Sequence, residues 1–131
     1  MVGIMLVVLM RSDHLPYLLR PQTRQHERGP YGAGNKGGVA FWAHLYGTPI
    51  CIISSHLAAH TNKVEKRNQD YHSLRERLLF FSSPNHEFVN PLDACHTIWA
   101  GDLNYRVDFS GEHRMNADQM NAAYCTCVAL A

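Results

Sequence analysis

Apolar residues follow three different rhythms along this chain, and each rhythm forecasts a different element. Residues 2–9 form an unbroken apolar run rich in β-branched side chains, which predicts a strand covered on both faces. The run is too short to span a bilayer, and no basic residue precedes it as in a signal peptide. Two β-rich runs, 38–46 and 50–55, flank Gly47-Thr48-Pro49, whose glycine and proline supply turn dihedrals; an antiparallel hairpin is predicted. From residue 62 the period becomes helical. Val64, Tyr71, Leu74 and Leu78 share one face, and Asn62 followed by Glu65 resembles a capping box, so a helix is predicted over 62–81. Residues 95–100 resume strand character and stop at Gly101.

Between these elements the punctuation is dense. Pro16, Pro21 and Pro30 with Gly29, Gly32 and Gly34 mark 11–34 as mostly loop, with room for one helical turn at 15–19. Pro84, Asn85, Asn90 and Pro91 give 82–93 a loop composition, and beyond residue 109 the pattern weakens. At 131 residues and 46% hydrophobic, the chain has the size of one domain with enough apolar material for a core. A net charge of +1 excludes a global basic field of the kind that attracts nucleic acid, so an anionic substrate must be met by local charges. Cys51, Cys95, Cys125 and Cys127 match neither a disulfide framework nor a paired zinc motif, and read as reduced thiols of an intracellular protein.

Candidate chemistry gathers where strands end. Asp102 and Asn104 lie two apart just past a strand, so both can address one site; a carboxylate there can orient or deprotonate water, and an amide can donate to a phosphoryl oxygen. The competing reading of Asp-x-Asn is an Asx-type turn. His56 ends the second hairpin strand and can reach the same rim, where ligands collect in open α/β sheets. His56 and His60 form an HxxxH pair, but it straddles a strand end rather than lying on a helix, as zinc binding would need. Asn35 and Lys36 sit among glycines that let backbone approach an anion closely, without Walker spacing. Lys63, Lys66, Arg67, Arg75 and Arg77 read as the solvated face of the helix, and Trp42, Trp99 and Tyr105 as packing aromatics.

Four stretches in order resemble the inositol polyphosphate 5-phosphatases. They are residues 3–8 with His14-Leu15-Pro16-Tyr17; Gly34-Asn35-Lys36-Gly37-Gly38-Val39; Ser55-His56-Leu57-Ala58-Ala59-His60 running into Arg67-Asn68-Gln69-Asp70-Tyr71; and Trp99-Ala100-Gly101-Asp102-Leu103-Asn104-Tyr105-Arg106. The resemblance covers about 2–108 and leaves 109–131 as a tail within a single partial catalytic domain, 1–131. It implies an α/β fold, a DNase-I-like four-layer sandwich of which this chain holds the central part. It further implies Mg²⁺-dependent hydrolysis of the 5-phosphate of phosphatidylinositol 4,5-bisphosphate or a related lipid or soluble inositol polyphosphate. Asp102 would activate water, Asn104 hold water and phosphoryl oxygen in line, His56 bond the scissile phosphate, Asn35 and Lys36 meet a headgroup phosphate, and Arg106 buttress the motif. The family's metal-binding Glu, its second signature and its final Asp-His pair do not occur here, so no metal ligand is assigned and little activity is expected of the chain alone.

The same resemblance implies an intracellular, cytoplasmic protein with peripheral membrane contact, no transmembrane segment and no nucleic-acid partner. Two alternatives share these residues: a nuclease of the same superfamily, which would need a basic groove, and a non-catalytic phosphoinositide-binding module. A chain holding little more than one sheet of a sandwich would expose an apolar face, and poor solubility is expected.

Overall fold

The computed structural model describes residues 3–28, 35–82 and 87–105. Four strands build the main sheet: β1 (Leu18–Arg28), β2 (Lys36–Leu45), β3 (Thr48–His56) and β6 (His96–Asp102), in the order β1-β2-β3-β6. The helix α1 (Val64–Arg77) and a small pair of strands, β4 (Phe80–Ser82) and β5 (Glu87–Val89), lie between β3 and β6 in the chain. β1, β2 and β3 run antiparallel to their neighbours, whereas β6 returns parallel to β3, as a crossover through a helix permits.

The predicted hairpin forms, and its turn is Tyr46-Gly47 rather than Gly47-Thr48-Pro49. Tyr46 has φ 51° and Gly47 φ 80°, the double left-handed pattern whose twist suits a two-residue hairpin. Thr48 and Pro49 already belong to β3, opposite Leu45 and His44. The strand expected over 95–100 is found from His96 and extends through Gly101 to Asp102.

Three expectations fail for identifiable reasons. Residues 2–9 were expected as a buried strand, yet the described part forms no ladder with any described strand; Met5 is 78% and Leu9 90% exposed. Apolar composition cannot itself supply the pairing partner that a strand requires. The loop expected over 11–34 has its short helical turn, a 3₁₀ turn at Ser12–Tyr17, but also holds the eleven-residue β1, while 29–34 lie outside the described residues. Pro21 is tolerated because the β1–β2 register shifts between Leu19 and Gln22, next to Arg20 at φ 53°, and because β1 is an edge strand. The helix expected over 62–81 is shorter. Its N-cap is Lys63 without a side-chain cap, so no capping box forms at Asn62, and Val64 is exposed. Its end at Arg77 frees Phe80 to enter β4 and stack on Trp42 at 5.3 Å. A capping box does occur in the expected 82–93 loop, where Asn90 and Asp93 close the 3₁₀ turn Pro91–Asp93.

The core lies between α1 and one sheet face. Ala40 and Trp42 of β2, Cys51 and Ile53 of β3, Leu74 of α1, and Leu57, Leu78 and Phe80 are buried together. Strand alternation turns Phe41, Ile52 and Ile98 to the opposite face, where Ile98 remains 43% exposed. Burial pushes the Cys51 thiol up to about 12, so it behaves as an apolar filler, and Cys95 is free and exposed. Among the described residues no helix is long and apolar enough to cross a membrane.

Two tests follow from this geometry. A Cβ on Gly101, at φ 119°, would lie 2.1 Å from the Ser55 carbonyl oxygen, whereas one on Gly47 would meet nothing within 4 Å. Thermal melting should therefore place Gly47→Ala about 1 kcal/mol below wild type and Gly101→Ala at least about twice as far below; equal losses would contradict the close β3–β6 approach. His26 of β1 shares a hydrogen bond with Ser73 of α1 at 3.2 Å. Its ring is held below the usual 6.5 by burial, then by the Arg28 and Arg77 cations. The fold thus favours neutral His26, and that contribution is complete above pH 6.5 and lost as pH falls toward the depressed value. Urea unfolding at stepwise lower pH should show wild type losing stability faster than His26→Gln; parallel curves would remove His26 from the balance.

Candidate functional site

The site is built by register. Gly37 of β2 pairs with His56 of β3, and His56 with Asp102 of β6, so three strands bring one row of residues to a common rim. His56 Nε2 lies 3.3 Å from Asp102 Oδ2, and the same nitrogen meets the Lys36 ammonium. A neutral imidazole nitrogen either accepts or donates. Nε2 can thus accept from Lys36 or donate to Asp102, and the two partners compete for it.

Asp102 is fixed at both oxygens. While Oδ2 faces His56, Oδ1 accepts the Asn104 N–H at 3.2 Å, and Asn104 sits at φ 56° with its Nδ2 donating to the Leu57 carbonyl at 3.1 Å. This is the Asx turn of the competing reading, and it serves the carboxylate by holding it still. The strands stay joined past their ends, because the Leu57 N–H donates to the Asp102 carbonyl at 3.1 Å. Trp99 Nε1 donates to Ser55 Oγ at 2.9 Å while its ring lies 4.7 Å from Tyr71, pinning β6 to β3 and to α1.

After His56 the chain turns through 57–61 into α1, and two buried charges hold that turn. Arg67, expected on the solvated face, is 1% exposed and donates from one guanidinium nitrogen to the carbonyls of Ala58 at 3.3 Å and His60 at 2.6 Å. Its other terminal nitrogen reaches the Thr61 carbonyl at 3.5 Å, and the guanidinium lies 5.2 Å from the Tyr105 ring centre. Asp70, 2% exposed, accepts the Ala58 N–H at 3.1 Å and pairs with Arg28 at 3.2 Å and Lys66 at 3.3 Å. Residue typing read Arg67 as one more surface cation. Its spacing with Asp70 and Leu74, three and four residues apart, was the signal that it shares the buried face.

Three hollows surround the rim. One of about 310 Å³ opens on His56 and Asp102 and is walled by Gly3, Ile4 and Met5. A second, about 550 Å³ and mainly apolar, lies under Leu57, Trp99, Leu103 and Tyr105. The third, about 520 Å³, contains Asn35 and Lys36 with His60, Lys63 and Lys66. The structure therefore brings His56, Asp102 and Lys36 into contact, sets Asn104 beside them as a turn, and places Asn35 in a hollow reached through Lys36. Arg106 lies outside the described residues. Among the described residues no three His, Cys, Asp or Glu side chains converge as a metal set, and His60 lines a different hollow from the one that opens on His56 and Asp102. The described residues by themselves do not make a set that fits a bound divalent cation.

The four-stranded mixed sheet with its helical crossover has the architecture of a known solved domain. The inositol polyphosphate 5-phosphatase domain of SPsynaptojanin, solved with inositol (1,4)-bisphosphate and calcium ion, superposes with a TM-score of 0.61 at 24% identity over 88% of this chain and 32% of that one. That likeness establishes the DNase-I-like fold. The chain belongs to the endonuclease/exonuclease/phosphatase family 2, whose model matches residues 1–125. Its relatives include mouse type II inositol 1,4,5-trisphosphate 5-phosphatase, 40% identical over 112 residues that make up 82% of this chain and 11% of that protein. Synaptojanin of Caenorhabditis elegans is 36% identical over 89% of this chain and 10% of its own length, and mouse inositol polyphosphate 5-phosphatase K is 35% identical over 85% and 23%. The chain thus spans between about a tenth and a quarter of these curated relatives.

The clamp on 57–61 is testable. Arg67→Met should lower the unfolding free energy by about 2–3 kcal/mol, because three carbonyls lose a charged donor. Hydrogen exchange should then release amides 58–61 ahead of the sheet; retained protection there would show that Asp70 alone suffices.

Proposed function

We propose that this chain supplies the His56–Asp102 side of an active site that hydrolyses the 5-phosphate of an inositol polyphosphate, free or as the headgroup of a phosphoinositide such as phosphatidylinositol 4,5-bisphosphate. The observation that supports this reading most is the contact of Lys36, His56 and Asp102 at one rim in a chain whose relatives carry 5-phosphatase names. In this reading Asp102, held by the Asn104 N–H, orients and deprotonates a water. That water's oxygen forms the new bond to phosphorus as the bond to the inositol oxygen breaks, and the leaving oxygen takes a proton. In this reading His56, in the tautomer that carries hydrogen on Nε2, donates to a phosphoryl oxygen in place of Asp102, and the Lys36 ammonium offsets charge on the phosphate. Asn104 keeps the carboxylate aligned, and Asn35 with Lys36 meets a further phosphate.

Mg²⁺ is the cofactor that this reading calls for, and it would supply charge neutralisation when bound. Its carboxylate ligands would come from outside the described residues, because the described ones do not gather a set. The chain alone is accordingly expected to release little phosphate. Substrate on a lipid surface would place the protein in the cytoplasm with peripheral membrane contact. A net charge of +1 favours a compact phosphate ester over a nucleic-acid backbone.

The decisive measurement is phosphate release by the full-length protein. Asp102→Ala and His56→Ala should each reduce the rate by at least about 100-fold. A near-wild-type rate in either variant would remove the role assigned to that side chain.

A further inference from the structure

We propose that the outer edge of β1, over residues 22–28, is a docking site for an extended acidic peptide segment, which adds to the sheet as a further strand. The proposal goes beyond the phosphatase reading and uses a side of the sheet that the rim residues leave idle. β1 ends the order β1-β2-β3-β6, so among the described strands it is paired on its β2 side alone. Alternate residues of such a strand turn their N–H and C=O away from the neighbour, toward whatever lies beside the sheet. Over 22–28 the register with β2 is unbroken. At roughly 3.3 Å per residue that edge is about 23 Å long, enough for a ligand strand of ordinary length.

Rigidity is the first argument. A polar edge strand has little apolar surface to hold it, yet four alternate residues of β1 each reach α1 or the chain that leaves it. Gln22 donates to the Phe81 carbonyl and accepts the Phe81 N–H, both at 2.9 Å, and Arg24 donates to the Leu79 carbonyl at 3.0 Å. His26 meets Ser73 Oγ at 3.2 Å, and Arg28 donates to Asp70 at 3.2 Å. These bonds fasten β1 through its side chains. An edge already held straight loses little freedom when another strand adds to it.

Charge decides the occupant. β1 carries three arginines against one glutamate, a net +2, whereas the whole chain is +1. Strand alternation turns Glu27 to the face opposite Arg24, His26 and Arg28. The exposed Arg24 guanidinium meets carbonyls, those of Leu79 and Thr23, so no described carboxylate offsets it. Arg20 is exposed as well and makes no ion pair among the described residues. A second copy of this chain would set like charges against one another across the new pairing, which disfavours it as the occupant. A strand with Asp or Glu at alternate positions satisfies the open backbone groups and the guanidinium groups together.

The test follows the fluorescence anisotropy of a labelled heptapeptide alternating valine and glutamate as full-length protein is added, beside the same peptide alternating valine and lysine. The glutamate peptide should bind at least about tenfold more tightly. Arg24→Gln and Arg20→Asn, the second chosen to suit the φ of 53°, should each weaken it about threefold. Arg75→Gln, on the side of α1 turned away from Ser73, should leave it at the wild-type value. The losses should shrink as salt rises. Methylating alternate amide nitrogens along one edge of the peptide should abolish binding, and along the other edge should not; equal binding of both forms would overturn strand addition, whether or not every variant folds. Absent binding, or binding indifferent to both arginines, would overturn the proposal. So would arginine-dependent sedimentation with phosphatidylserine vesicles in place of peptide binding, which assigns the charge to a membrane, or a wild-type dimer that Arg20→Asn dissolves, which assigns the edge to a second copy. Phosphate release is not read in any arm, so failure here leaves the phosphatase reading standing.

Discussion

The arrangement depends most on two charges that would ordinarily be in water. Arg67 and Asp70 lie nearly one turn apart on α1, both almost fully buried, and both are spent on the backbone that follows His56. Burying a guanidinium and a carboxylate is costly unless each finds full partnership. Here the terminal nitrogens of the guanidinium satisfy carbonyls of a turn that otherwise has no secondary structure, although its buried Nε finds no partner among the described residues, and the carboxylate takes the first free N–H of the same turn along with two cations. The turn is thereby converted from a loop into a rigid shelf. Leu57 can then close the β3–β6 ladder, and Tyr105, lying over Arg67 and bonded to Asn68 at 2.6 Å, ties down the exit of β6 as well.

On that shelf, strand register does the aiming. Parallel pairing of β3 with β6 sets His56 opposite Asp102, and antiparallel pairing with β2 sets Gly37, and so Lys36, on the other side. Two close approaches need glycine: a Cβ at Gly37 would lie 2.2 Å from the His26 carbonyl oxygen of β1, and one at Gly101 2.1 Å from the Ser55 carbonyl oxygen of β3. Gly37, next to Lys36, therefore serves strand contact as well as any approach by ligand.

Legibility in the sequence tracked how local the physical cause was. The hairpin, the middle of α1 and β6 were readable because alternation and helical period are properties of neighbouring residues. β1 was not, because a polar edge strand with Pro21 owes its existence to pairing with β2 and to a register shift, neither of which leaves an apolar signature. Residues 2–9 erred in the other direction, their composition promising a strand with no partner in the described sheet. At the rim, His56, Asp102 and Asn104 were legible as strand-end polar residues, whereas Arg67 was missed because a charge on a helix reads as solvated until its face is counted.

The stretch 99–105 shows why a short motif can mark a lineage so strongly. Trp99 bonds Ser55, Gly101 admits the β3 backbone, Asn104 closes the turn, and Tyr105 anchors to α1. Four of these side-chain choices hold one carboxylate, Asp102, in a fixed direction. Most of the motif is therefore support, and its specificity comes from how many independent contacts must be met at once. Chemistry on a phosphate also needs positive charge facing that carboxylate across His56. In the described residues this comes from Lys36, which competes with Asp102 for the same imidazole nitrogen. The motif positions the group that activates water, while the cation that makes a phosphate approachable is set by β2, through a different part of the sequence.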